Sequence, residues 1–321
     1  MKKLLMYNFT VVMFLLSCNK EKPAPVIQMT TNRTVIGFYL RGSGTATIDW
    51  GDGSPLLTKE LTTMPSGSDI LNHEYNTANT RTIEIFGDNI TGFYSNMGKL
   101  LSLDTRKCST LEKLDCSENV LRSLDVSKNT KLTTLICSDN LLTSLDVSKN
   151  LALDFLFCSN NQLTSLNVSH NNVLGWLGLW GNQLKSLDLS KNLALVYLDC
   201  GYNKLTSLDV SKNTSLKELG CHYNDLAGLD LSKNSELTDL WCYKNQLTGL
   251  DVSNNSKLVT LWCQSNQLSA DALDALFTTL NDRLDSKWGK TILIGGNPGA
   301  DSCNPSIATE KGWTVNTEII Y

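Results

Sequence analysis

Proline is nearly missing from this 321-residue chain: there are six, and none lies between Pro65 and Pro298. A long stretch without proline can run an uninterrupted backbone ladder, because every residue keeps its N–H donor. Histidine is scarcer, with only His73, His170 and His222, which leaves few side chains that titrate near neutrality. No glycine-rich phosphate loop, HExxH or nucleophile elbow occurs. "WGDG" at Trp50–Gly53 reads as a turn rather than a carboxylate site. No enzymatic activity, cofactor or metal centre is therefore expected. Lys and Arg (28) are scattered and outnumbered by Asp and Glu (32), for a net charge of −4. A nucleic-acid partner is excluded on that ground.

Long apolar runs are absent except at the start. "MKK" is a positive n-region, "LLMYNFTVVMFLL" is apolar, and "LLSC" ends at Cys18. Together they read as a secretory signal. The stretch "LLSC" resembles a bacterial lipobox. That resemblance implies cleavage after residue 17, lipidation of Cys18 and anchorage to a membrane through the N-terminal lipid. The other reading is an ordinary signal peptide with an incidental cysteine. Residues 18–25 form a charged, proline-containing tether. Asn19 fits outer-membrane sorting, and "KEK" resembles surface-export signals of Gram-negative lipoproteins. The expected location is the outer membrane, exposed at the cell surface.

A 21-residue repeat dominates the rest. From "LEKLDCSENVLRSLDVSKNTK" onward, leucines at 111, 114, 121 and 124 recur coil after coil as far as Leu268. Asparagine recurs without substitution at Asn119, Asn140, Asn161, Asn182, Asn203, Asn224, Asn245 and Asn266. A second column runs Asn129, Asn150, Asn171, Asn192, Asn213, Asn234, Asn255. A degenerate earlier coil aligns through Ile90, Phe93, Leu100 and Leu103. The pattern LxxLxCxxNxL resembles the leucine-rich repeat, a solenoid whose coils bury a common core. The second half of each coil, as in "SLDVSKN", has its own LxV pair. Two extended sides with little room for helix predict a flat, gently curved solenoid.

Cys116, Cys137, Cys158, Cys200, Cys221, Cys242 and Cys263 share one column, with Leu179 in the same slot. A slot that accepts leucine wants apolar volume, and free cysteine is a small hydrophobe. In-register thiols on parallel strands are badly placed for disulfides. The column is expected to be buried, reduced and structural. This array is similar to internalin J-type repeats with a cysteine ladder, over residues 90–268.

The flanks lack the period. Residues 26–88 contain "IDWGDGS" and "HEYNTANTRTIEIFG", which resemble a PKD-like, immunoglobulin-type β-sandwich. Residues 269–321 predict an α/β cap, with Ser269 as N-cap of a helix bearing Leu273, Phe277, Leu280 and Leu284. The solenoid is assigned to residues 89–268. The fold class is thus mainly β: a leucine-rich-repeat solenoid of parallel stacked strands, preceded by a small sandwich and closed by that cap. The whole resembles leucine-rich-repeat surface lipoproteins of Gram-negative gut bacteria.

One side of the coil carries Asp104, Asp125, Asp146, Asp188, Asp209, Asp230 and Asp251, with Lys128, Lys149, Lys191, Lys212 and Lys233 three residues after five of them. This predicts a solvated column of mixed charge rather than a calcium site. The other side varies and is aromatic: Phe155, Phe157, Trp176, Trp180, Tyr197, Tyr202, His222, Tyr223, Trp241, Tyr243 and Trp262. Asp199, Glu218, Asp239 and Gln264 are assigned to the same surface. Coil-to-coil stacking explains any one aromatic pair, but not an excess confined to one side. An exposed aromatic cluster implies a binding surface. The internalin resemblance implies a protein ligand and an adhesion role; the alternative is glycan capture for polysaccharide uptake. A monomer is expected. Trp241 and Trp262, equivalent in adjacent coils, predict one platform at strand spacing, about 4.8 Å.

Overall fold

The computed structural model describes residues 24–63, 69–96, 98–282 and 289–318. Cys18, the signal segment and most of the tether lie outside them, as does Leu284.

The first strands are β1 (Ile27–Thr31), β2 (Val35–Gly42), β3 (Thr45–Asp49), β4 (Leu57–Glu60), β5 (Leu71–Glu74), β6 (Arg81–Phe86), β7 (Ile90–Tyr94) and β8 (Leu100–Asp104). Strands β4-β3-β6-β1-β8 form one antiparallel sheet. Alternation of apolar and polar residues, as in β1 with Ile27 and Met29 inward, buries one face. "WGDG" is the turn expected: Asp49 accepts the Gly51 N–H and Asp52 accepts the Ser54 N–H, each at 3.0 Å. His73 stacks on Trp50 (4.7 Å) and bonds Asp52 (2.7 Å), so it belongs to this turn.

Then each coil contributes one three-residue strand: β9 (Lys113–Asp115), β10 (Thr134–Ile136), β11 (Phe155–Phe157), β12 (Trp176–Gly178), β13 (Tyr197–Asp199), β14 (Glu218–Gly220), β15 (Asp239–Trp241) and β16 (Thr260–Trp262). They pair in parallel and in register. The solenoid has about ten turns of ~21 residues. The middle residue of every one of these strands is a leucine with no exposed surface, from Leu114 to Leu261. No single coil shields such a leucine; its neighbours above and below do.

The degenerate coil joins the two parts. β7 pairs antiparallel with β2 and parallel with β9, while β8 pairs with β1. The solenoid sheet therefore continues into the sandwich as 13 strands, and the end of the stack is never an open edge there. At the other end, α1 (Ala270–Thr279) starts at Ser269, whose hydroxyl accepts the Ala272 N–H at 3.2 Å. Its Leu273, Leu276 and Phe277 are buried. β17 (Lys290–Leu293), α2 (Ser306–Thr309) and β18 (Trp313–Asn316) follow, with β17 and β18 extending the parallel ladder beyond β16.

The first asparagine column binds coils together. Asn224 Nδ2 donates to the Cys221 carbonyl in its own coil (3.1 Å) and to the Cys200 carbonyl one coil back (3.0 Å). Its Oδ1 accepts the Leu205 N–H (2.9 Å). The second column donates to two carbonyls of the previous coil, as Asn213 does to Leu189 and Asn192. Both sets satisfy buried backbone groups that the turns would otherwise orphan.

The aspartate column is explained by turns rather than by alternating charge. Asp125, Asp146, Asp188, Asp209, Asp230 and Asp251 each accept the N–H of the serine two residues on, at 2.8–3.0 Å. That bond, more than the neighbouring lysines, holds Asp188, Asp209 and Asp230 below the usual carboxylate range. Neutral Asn167 makes the same bond to Ser169 N, so the position needs an acceptor and not a charge.

All seven ladder cysteines are free and fully buried, and Leu179 fills the same slot with no exposure. Burial pushes the thiols of Cys158 and Cys263 up to about 12. Native protein should therefore resist thiol labelling at all seven, and denaturant should expose them. A disulfide among them in a mass map would contradict the structural role. Cys200→Ser should lower unfolding stability by about 1–3 kcal/mol in a denaturant titration, because a hydroxyl enters a dry column; Cys200→Ala should lower it less.

Candidate functional site

Residues flanking the central leucine of each strand point away from the core. All eleven rings expected on this face make ring contacts there. They fall into two clusters. In the first, Phe155, Trp176 and Tyr197 occupy one register column and stack at 5.6 Å and 5.3 Å, with interplanar angles of 9° and 20°. Phe157 leans on Tyr197 at 6.1 Å. The second cluster runs from Trp180 through Tyr202, Tyr223, His222 and Tyr243 to Trp262 and Trp241.

Trp241 and Trp262 do sit in register. In that shared register the rings meet edge to face at 6.4 Å and 77°. That arrangement sets the positive edge of one ring against the negative face of the other. Gln264 is also not a surface group. It is 1% exposed, and its Oε1 has no hydrogen-bond partner.

After each strand the chain turns through a left-handed residue. The positions are Glu118, Asp139, Asn160, Gly181, Tyr202, Tyr223, Lys244 and Ser265, with φ between 50° and 70°. Asn, Asp and Gly suit this region, whereas a bulky side chain there costs about 1–2 kcal/mol. Tyr202 and Tyr223 accept that strain and stack at 3.7 Å. Lys244 lies 4.4 Å over the Tyr223 ring and donates to its hydroxyl at 2.5 Å. The ammonium holds the Tyr223 phenol below its ordinary range. Beside this stack is a groove of about 410 Å³ lined by Tyr202, Tyr223, Lys204, Asp225 and Lys244. Tyr202, at 39%, is the most exposed of the eleven rings.

Three glycines open gaps in columns that elsewhere hold large side chains. A Cβ at Gly178 would run into the Phe157 ring. One at Gly201 would lie 2.5 Å from His222 Cε1, and one at Gly220 would lie 2.9 Å from Asp199 Oδ1. His222 thus lies over Gly201 and stacks on Tyr243 at 4.6 Å. Its burial lowers the imidazole to about 4, so the ring is neutral at pH 7. Asp199 accepts the Gly201 N–H at 3.0 Å, yet burial raises its carboxyl above the usual range. Glu218 is raised by burial and then by the charge of Asp239. Neither the left-handed tyrosines nor the gaps were anticipated, although glycines interrupting an aromatic column are a visible sign of close approach.

No family model matches this chain, and no curated protein matches it. Solved structures do. The functional domain of InlJ from Listeria monocytogenes, which includes a cysteine ladder, is 33% identical, with a TM-score of 0.62 over 74% of this chain and 50% of that one. A leucine-rich-repeat protein of Leptospira interrogans is 20% identical (TM-score 0.54, covering 70% of this chain and 64% of that one). The leucine-rich-repeat ectodomain of the Arabidopsis thaliana receptor kinase GASSHO1/SCHENGEN3, solved in complex with CASPARIAN STRIP INTEGRITY FACTOR 2, is 25% identical (TM-score 0.52, 66% and 28%). This chain therefore spans half the length of the first and about two thirds (64%) of the second. The fold is a leucine-rich-repeat solenoid, mainly β, similar to cysteine-ladder repeat proteins.

The buried imidazole gives a direct test of the second cluster. The His222 resonance should titrate near pH 4 by NMR rather than near 6.5. Because its folded value is depressed, the unfolded chain binds the proton first. The contribution of His222 to stability should fall as pH drops from about 6.5 and level off below about 4. Titration near 6.5 would mean that the ring is solvated and the cluster open.

Proposed function

We propose that this protein is a cell-surface lipoprotein whose solenoid captures a protein ligand through the aromatic strand face, and that it is not an enzyme. One observation carries the reading: eleven rings gather on one side of the coil in two contiguous clusters, while the opposite side repeats Asp, Ser, Lys and Asn. Packing alone requires none of these rings, since coils such as that of Thr134 and Ile136 stack in the same register without them. Two tyrosines also occupy backbone positions that disfavour them. Large rings of low conformational freedom are typical centres of protein interfaces. Support also comes from the Arabidopsis ectodomain of the same fold, which was solved with its ligand bound.

In this reading lipidation at Cys18 anchors the chain to the outer membrane, and surface export exposes the binding face. Metabolic labelling with a palmitate analogue should tag the wild-type chain, and Cys18→Ala should abolish the tag. Retained labelling would remove the anchor.

The binding face is tested by substitution. Trp241→Ala and Trp262→Ala should each weaken capture of host-cell proteins by about 2 kcal/mol or more, with circular dichroism unchanged. Lys191→Ala and Lys212→Ala, on the opposite side, should leave capture unchanged, as solvated single charges contribute little. If the lysines matter and the tryptophans do not, the face is wrongly assigned. A glycan array run on the same variants separates the two ligand classes: tryptophan-dependent glycan signal without protein capture would replace the protein ligand with a polysaccharide.

A further inference from the structure

We infer that the partner of the strand face presents a basic side chain, Arg or Lys, to its centre, where Asp199, Glu218 and Asp239 lie between the two aromatic clusters. The inference rests on the proposed use of that face and specifies what docks there.

Register places the three acids. Glu218 stands between Tyr197 and Asp239 in one column, and Asp199 stands beside it with Gly220 and then Trp241 beyond. Glu218 and Asp239 are therefore like charges directly opposed on adjacent strands, an arrangement that destabilises a sheet. Intramolecular relief is small. Asp239 accepts the Thr238 hydroxyl at 2.7 Å and Asp199 the Gly201 N–H. Among the described residues no Lys or Arg forms an ion pair with any of the three. Of the charged and titratable groups around them, Lys217 is exposed, Lys244 is engaged with Tyr223, His222 is neutral, and Tyr197 is pushed up to about 12 by burial and then by Asp199 and Glu218.

A bare metal ion does not fit. No group of three or more His, Cys, Asp or Glu among the described residues is arranged to hold one. The carboxylates are instead spread along the face and bordered by rings. A guanidinium or ammonium on a long alkyl stem meets both conditions: its head pairs with the acids, and its stem and cation lie against Tyr197 and Trp241.

The free protein bears the unrelieved repulsion. A carboxyl whose folded pKa is raised stabilises the fold at low pH and loses that contribution as pH rises past it. Asp199 and Glu218 are both raised, so neutralising the acids should favour the fold at pH 7 while harming recognition. A carboxylate kept for structure would behave in the opposite way.

The test uses the full chain and fluorescein-labelled hexa-arginine as probe, read by anisotropy at low salt. Glu218→Gln with Asp239→Asn should weaken probe binding about tenfold and raise the melting temperature. Asp209→Asn with Asp230→Asn, on the opposite side, should leave probe binding unchanged and should not raise the melting temperature, because both carboxyls are held below their ordinary range in the fold. Probe binding to the unsubstituted chain should weaken as pH falls into the carboxylate range. Equal loss from both pairs of substitutions would mean diffuse attraction to an acidic protein and would overturn the inference. So would unchanged binding, or a lowered melting temperature, in the Glu218→Gln, Asp239→Asn chain. If Trp241→Ala abolishes host-protein capture while the acid substitutions leave it intact, the aromatic face stands and the basic contact falls. If neither set matters, both fall.

Discussion

A buried asparagine holds each coil to the next, and the rest of the solenoid depends on it. A three-residue strand is too short to hold a sheet together through its own ladder bonds. Asn224 adds bonds to three carbonyls and one N–H, reaching into the preceding coil. Its equivalents repeat this along the stack. With turns satisfied from within, the leucines need only fill volume, and a cysteine or a leucine serves equally in the next column.

Once the core is repetitive, the two outer sides are free to differ. On one side the acceptor role of Asp125 and its equivalents closes a turn, which explains why that side hardly varies. On the other, the positions beside each central leucine carry that duty only in places, as at Asp115 and Asp199. There the chain places rings, glycine gaps and opposed carboxylates. Several of these oppose local stability: tyrosines in left-handed backbone, a half-buried neutral imidazole and acids raised by burial, Glu218 also by the charge of Asp239. Departures from local consistency, concentrated on one surface of an otherwise regular solenoid, mark that surface as the candidate functional site.

The two ends solve one problem by different means. A stack of parallel strands exposes unpaired backbone at its termini. At the start, β7 is shared between solenoid and sandwich, so one sheet passes through both. At the finish, β17 and β18 prolong the ladder while α1 buries Leu273 and Phe277.

The repeat, its inward leucines, the buried thiols and the helix start at Ser269 were all legible in the sequence. Each depends on local spacing, and a spacing repeated eight times overrides chance. The eleven rings were legible as one-sided for the same reason. Their mutual geometry was not. The edge-to-face meeting of Trp241 and Trp262, the withdrawal of Gln264 into the core and the stacking of Tyr202 on Tyr223 depend on side-chain directions and on φ at the turn. The sharing of β7 and β8 with the sandwich likewise needed strands distant in the chain to meet. Periodicity fixes which residues share a face; only packing across neighbouring coils decides how rings and charges on that face come together.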